Sequence, residues 1–340
     1  MASSTGLTAA TAEIGASMRE CEACPCCGGR DLESVACRND LHAIGGVSDN
    51  MKDSDYHACL DCGLIFARRR QSLESATLFY QWFAHLERRD YAAYPPPKNY
   101  IQAKSDRAEA HVRYLADHGV LSPGMTVAHV RCDVGSHLMQ IREQFPDCTF
   151  HGYDYFDSNI RYAHDQGLPG VTKLDPARIN LADGTAYDLI ICNHIFTHAF
   201  DPAADLQMLH EALKPGGVLF LYSEIDHFLR FQPQGPFYQW VALNNFHKQL
   251  FSPQSLEVFL TRGGFSIKAQ DRRNFYMQFL ARRDVTVEGA RHDAPVALAA
   301  KASAPVMTTN FRRWATLRDS RFFALIKITS KLKKALRRAS

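Results

Sequence analysis

No stretch of the 340 residues comes near the roughly 20 consecutive apolar residues that carry a helix across a bilayer, so no membrane-spanning helix is expected. The first twenty residues, MASSTGLTAATAEIGASMRE, lack both a basic start and an apolar centre. They do not read as a secretory signal, and a small, polar, disordered leader is expected over 1–20. Neither sign of charge dominates: 39 Lys and Arg against 36 Asp and Glu give a net +3. With 46% apolar and 22% charged residues, the composition excludes collagen-like and disordered classes. No base-stacking aromatic motif is evident, which argues against a nucleic-acid-reading surface. The length fits two domains and an appendage.

The even charge balance hides a split. Residues 311–340 hold ten basic side chains, from Arg312 to Arg338, against the single acid Asp319, so this stretch carries +9 and the rest of the chain −6. Phe322, Leu325, Ile326, Leu332 and Leu336 fall near one helical face there. Such a basic amphipathic helix suits docking on its own domain, an anionic membrane surface or an acidic partner. The Ala-rich, polar stretch 285–310 before it reads as a linker.

Without an export signal the chain is expected in a reducing cytoplasm, with the basic helix able to hold it at the inner membrane surface. Ten cysteines in that setting point to metal or buried thiols rather than disulfides. Two pairs stand out, Cys24-Pro-Cys26-Cys27-Gly-Gly and Cys59-Leu-Asp-Cys62-Gly. Two intervening residues let a tight turn aim both thiolates at one tetrahedral ion, and the trailing glycine lets the chain turn back. Cys24, Cys27, Cys59 and Cys62 are therefore the candidate ligands of a structural Zn2+ in a zinc-ribbon-like module over 21–70. Four thiolates leave no open position for catalysis. Cys21 and Cys26 stand close enough to keep the ligand choice open by one or two residues. The 31 residues between Cys27 and Cys59 imply a hairpin insertion.

A helical linker, rich in aromatics, is expected over 71–99, ending at Pro95-Pro96-Pro97. Ala108, Val112 and Leu115 then share one face of a helix over 103–118 that Gly119 stops. Beyond it strands and helices alternate: TVAHVR, SHLMQIREQF, CTFHGYD, SNIRYAHDQG, YDLIICN, DLQMLHEAL and VLFLYSE. A Ser-capped helix in SPQSLEVFLTRGGF and the closing strand FYMQFLARRD follow. This reads as an α/β domain over 100–284, a largely parallel sheet with helices on both faces and a ligand crevice at the carboxyl ends of its strands.

The order of CGLIF, GYDYFDSNIRYA, YDLIICNHIFTHAFDPAADLQMLHEALKPGGVLFL and HKQLFSPQSLEVFLTRGGF resembles a class I S-adenosylmethionine-dependent methyltransferase, of the subgroup with an N-terminal zinc-binding segment. The resemblance runs from about Cys24 to Arg283. It implies a Rossmann-like seven-stranded mixed sheet with an antiparallel closing hairpin, and S-adenosylmethionine as cofactor. The family's first loop reads hydrophobic-Asp-hydrophobic-Gly-Cys-Gly-x-Gly, against Ala128-His129-Val130-Arg131-Cys132-Asp133-Val134-Gly135 here. Gly135 is the one glycine kept, and His129 replaces the acid that steers the methionine ammonium. Arg131 and Asp133 put bulk and charge at the amino-acid end of the cofactor; they either take over its carboxylate and ammonium or abolish its binding. Asp154, 19 residues after Gly135, is spaced to bond a ribose diol. Asp175 matches an adenine-contacting acid, and Asn193 completes the expected cofactor set.

Methyl transfer needs in-line positioning and, for a hydroxyl or carbon acceptor, a base. Glu224 with His227 are the first candidates. His198 is a third, in Thr197-His198 where relatives carry Glu-His. For each histidine, satisfying loop hydrogen bonds is the competing role. Similar zinc-bearing enzymes act on nucleotide-linked sugars and other small metabolites, so the resemblance implies a small-molecule or nucleotide-sugar acceptor. Two alternatives stand beside it: a catalytically inactive methyltransferase-like binding or scaffold partner, and a nucleic-acid-directed methyltransferase, against which the −6 body argues.

Overall fold

The computed structural model describes residues 18–34, 37–38, 53–72, 94–175, 179–181, 184–223, 247–273 and 276–284. Residues 1–17 of the expected leader, most of the helical linker, Glu224, His227, the 285–310 linker and the basic 311–340 helix lie outside the described residues, while residues 18–20, expected as disordered leader, form a strand. No helix among the described residues is long and apolar enough to cross a membrane.

Short strands build the N-terminal module: β1 (Met18–Glu20), β2 (Leu32–Ser34), β3 (Cys37–Arg38), β4 (Asp53–Ser54), β5 (Tyr56–Cys59), β6 (Ile65–Ala67) and β7 (Arg69–Gln71). β2, β5 and β6 form an antiparallel sheet, β1 pairs with β7, and β3 pairs with β4 inside the expected insertion. Helix α1 (Lys98–Asp117) begins right after the three prolines, five residues earlier than periodicity suggested.

The central domain alternates β8 (Thr126–Val130), α2 (Ser136–Gln144), β9 (Thr149–Asp154), α3 (Asp157–Asp165), β10 (Val171–Lys173), β11 (Tyr187–Asn193), α4 (Ile195–His198), α5 (Pro202–Ala212) and β12 (Leu213–Ser223). After β13 (Gln249–Leu250) come α6 (Pro253–Arg262), β14 (Phe265–Arg273) and β15 (Tyr276–Arg283). Seven strands pair in the order β10-β9-β8-β11-β12-β15-β14, all parallel except β15. β11 lies between β8 and β12 and is buried over most of its length, which is why YDLIICN reads as a near-continuous apolar run. The Lys214–Gly217 turn lies within β12 as a register break: Tyr187 faces Leu213, and Leu189 next faces Val218.

Helix starts carry the chemistry that fixes them. Ser252 caps α6 in a capping box, accepting from the Ser255 N–H at 3.1 Å while its own N–H donates to Ser255 Oγ at 2.7 Å. Asp201 Oδ1 accepts from the Ala204 N–H at the head of α5, and Pro202 occupies the first position.

The module is joined to the domain through main chain. β13 adds to the module's sheet, Gln249 facing Phe66 and Leu250 facing Ile65. Tyr56 and Phe66 are fully buried in one continuous apolar core with Phe251, Phe259 and Phe265 of the central domain. Each such side chain contributes about 1.5–3 kcal/mol by leaving water.

Candidate functional site

The altered first loop keeps the trace that glycines would give it. Arg131, Asp133 and Gly135 all adopt left-handed φ, at 58°, 52° and 81°. For Arg and Asp this conformation costs about 1–2 kcal/mol each, so the surroundings must hold it. They do. Arg131 Nη1 donates to the His194 carbonyl at 2.8 Å, and its guanidinium stands 5.5 Å from the Tyr155 ring centroid. The Asp133 carboxylate accepts from Lys104 Nζ at 2.7 Å and from the Tyr100 hydroxyl at 3.0 Å. Burial opposes ionisation of Asp133, but Lys104, Arg131 and Tyr100 outweigh it and hold the carboxyl below its ordinary value. Gly135 is retained for packing: a Cβ there would meet Leu168 Cδ1 at 2.9 Å and the Ala163 Cβ at 3.4 Å.

Asp154 ends β9, 3% exposed, and clamps the loop. Its Oδ2 accepts from the Asp133 N–H at 2.9 Å, and its Oδ1 from the Phe156 N–H and Asn159 Nδ2, both at 3.0 Å. Burial, then the neighbouring Asp133 charge, push its carboxyl up to about 7 against the pull of these donors. Asp175 follows β10, its N–H donating to Asn180 Oδ1 at 3.1 Å. Asn193 ends β11 and its side-chain Nδ2 lies 3.2 Å from His129 Nε2.

His129 is fully buried, and burial pushes its imidazole down to about 4, so it is neutral. Its ring packs edge-on against His137, whose Nε2 lies 2.9 Å from His111 Nδ1. The position where the resemblance implies an acid is thus held by an uncharged, buried histidine bonded to Asn193 and stacked edge-on against His137. His194 and His198 flank α4; burial first, then Arg131, hold both well below the ordinary histidine range. The same burial and the Arg131 charge oppose the imidazolium that taking a proton would form at His198. Its ring lies 5.0 Å from that of His247.

The site therefore brings Arg131, Asp133, Gly135, Asp154, Asn193 and His198 to the carboxyl ends of β8, β9 and β11. Residues 100, 104, 107 and 111 of α1 were missed as contributors. Tyr100 and Lys104 bind Asp133, Arg107 stands 5.8 Å from the Tyr222 ring, and the His111 ring 4.5 Å from it. The signal was present as a stripe of side chains at helical spacing in KNYIQAKSDRAEAH, beside the apolar face.

The cysteines converge separately. Sγ atoms of Cys24, Cys27, Cys59 and Cys62 all lie within 4.8 Å of one another, with Cys24–Cys62 at 3.6 Å and Cys27–Cys59 at 3.5 Å. A tetrahedron with Zn–S bonds of about 2.3 Å has edges of roughly 3.8 Å, so the cluster fits such an ion. Gly28 and Gly63, one residue after each pair, have φ of 71° and 77°. The Cys26 and Gly29 N–H groups point at the sulfurs of Cys24 and Cys27, both at 3.4 Å. Cys26 itself turns away, its thiol donating to the Ser255 carbonyl at 3.3 Å, and burial pushes it well above its ordinary value. Cys26 thus stands outside the cluster of four converging sulfurs.

A family model described as a methyltransferase domain matches residues 106–270. Trans-aconitate 2-methyltransferase of Azoarcus sp. (strain BH72) is 29% identical over 150 residues, which is 43% of this chain; the match spans 57% of that relative's length. Among solved structures, an S-adenosylmethionine-dependent methyltransferase from Aquifex aeolicus matches with a TM-score of 0.40 and 20% identity, covering 50% of this chain and 88% of that one. Magnesium protoporphyrin IX methyltransferase from Synechocystis PCC 6803 matches with a TM-score of 0.41 and 18% identity, over 55% of this chain and 89% of that one.

Proposed function

We propose that the chain is a class I S-adenosylmethionine-dependent methyltransferase that transfers a methyl group to a small-molecule or sugar-type acceptor, a reading supported by the methyltransferase-domain match over residues 106–270. One observation carries the reading: the first loop holds left-handed backbone at all three of the family's glycine positions, clamped by Asp154. A chain with no use for that loop shape would not bear the strain at Arg131 and Asp133.

When bound, S-adenosylmethionine supplies an electrophilic methyl group on a positively charged sulfur. Asp154, at the end of β9, is the residue to accept a ribose hydroxyl, and Asp175 the one nearest an adenine edge. Arg131 is the partner for the methionine carboxylate. Asp133 meets the ammonium only by sharing it with Lys104. Glu224 with His227 are the first candidates to take the acceptor's proton, and His198, which burial and Arg131 make the weaker base, is the third. The four-cysteine cluster holds a structural zinc ion whose binding energy folds the module.

A rival reading, a silent methyltransferase-like binding protein, is favoured by the Lys104–Asp133 pair, which fills the second glycine position with side chains. Incubating the full chain with methyl-labelled S-adenosylmethionine and a panel of nucleotide sugars separates the two. The proposal expects label in one acceptor and its loss in Asp154→Ala. No labelled product, together with unconsumed methyl donor, would support the silent form.

A further inference from the structure

A cavity of 660 Å³ lies between the first cysteine turn and helices α5 and α6, away from the strand-end site. Pro25, Phe200, Leu206 and Phe259 give it an apolar body. Its polar wall is cationic: Arg19, Arg70 and Arg262 line it, with Asp201 the one carboxylate. Asp201 is already engaged as the α5 cap.

Arg70 makes the cavity more than a surface groove. It is 2% exposed, and its partners are the neutral oxygens of Ala67 (3.1 Å), Phe200 (3.5 Å) and Gln249 Oε1 (3.2 Å). Its Nη2 is buried with no hydrogen-bond partner, and so is His210 Nε2 on the same wall. Arg19 Nη2 donates to the Phe200 carbonyl at 2.6 Å, which adds a second guanidinium beside the first. Arg70 is thus a buried cation with no carboxylate partner among the described residues, and a bound anion would relieve that cost. Zinc on four thiolates would carry −2, which offsets only part of the three guanidiniums that line the cavity.

We propose that this cavity binds a small anionic ligand with an apolar body, its headgroup a carboxylate or a phosphate ester. The volume suits a ligand of that kind. A ligand there touches Phe200 and Asp201, next in sequence to the α4 segment that carries His198. The inference is independent of methyl transfer.

The test is calorimetric titration of the full, zinc-loaded chain with phenyl phosphate, with benzoate and, as the neutral control, with benzyl alcohol. One of the two anions is expected to bind saturably, and the tighter arm identifies the headgroup. Arg262→Gln weakens it about tenfold, the size of one lost charge-assisted bond. Ala203→Trp, on the cavity side of α5, blocks it, while S-adenosylhomocysteine binding is unchanged in both variants. Should Ala203→Trp not fold, Arg262→Gln alone decides. The proposal is overturned if neither anion binds, if benzyl alcohol binds as tightly, or if Arg262→Gln binds like the parent.

Discussion

Lys104 Nζ lies 2.7 Å from Asp133 Oδ2, joining the second turn of α1 to the middle of the first loop. The two side chains are 19% and 25% exposed, so the pair is partly desolvated and worth more than a surface ion pair. It places an ammonium of the chain beside the acid that a ligand's ammonium would seek.

Lys104→Met therefore has two expected effects. Asp133 loses a charge partner, and stability falls by about 1–3 kcal/mol in denaturant unfolding. The freed carboxylate then meets the ligand's ammonium unshared, and S-adenosylhomocysteine binds about five- to tenfold more tightly by calorimetry. Weaker binding in a folded Lys104→Met protein would mean that Lys104 serves the ligand directly.

Asp154 predicts a pH signature of two opposite signs. Its folded-state carboxyl is raised to about 7, so its contribution to stability is fully present below the ordinary carboxylate range and is lost as pH rises through about 7. Asp154→Asn removes that fall, seen as a flatter difference in melting temperature between pH 4 and pH 8. Ligand binding runs the other way: the ionised carboxylate is the better hydroxyl acceptor, so affinity for S-adenosylhomocysteine rises through pH 7. In Asp154→Asn that rise disappears.

The metal prediction separates six neighbouring cysteines. Elemental analysis of purified variants should find one zinc per chain in the parent, in Cys21→Ser and in Cys26→Ser. Cys24→Ser, Cys27→Ser, Cys59→Ser and Cys62→Ser should each lose it. Chelation should unfold the module cooperatively, seen as loss of protection in hydrogen exchange over β5 and β6. Zinc retained in Cys27→Ser but lost in Cys26→Ser would reassign the ligand.

Gln249 ties the module to α4. It accepts from Arg70, and its Nε2 donates to the carbonyls of Phe196 and Ala199, the latter at 2.8 Å. Gln249→Leu leaves those groups buried and unpaired and is expected to cost about 2–4 kcal/mol in denaturant unfolding. A loss below 0.5 kcal/mol, within the range of a neutral surface change, would show that the β13–β6 pairing alone joins the two parts.

The sheet was legible because its signals are local: YDLIICN is apolar by virtue of two neighbours, and Ser252 and Asp201 announce their helices. The cysteine turns were legible for the same reason, through spacing and trailing glycine. What eluded the sequence is non-local. Nothing near position 133 says that Tyr100 and Lys104 will reach it, since that depends on how α1 crosses α2. The choice between Cys26 and Cys27 rests likewise on Ser255, 229 residues away. Nor does spacing reveal that β13 joins the module's sheet, because a two-residue strand carries no periodicity.

The central claim is that the altered loop still serves an S-adenosylmethionine site closed by Asp154. Its most direct test is calorimetric titration of the full chain and of Asp154→Ala with S-adenosylhomocysteine at neutral pH. The account predicts single-site, saturable heat in the parent and at least about tenfold weaker binding in the folded variant. No heat in the parent, or equal affinity in both, would contradict it.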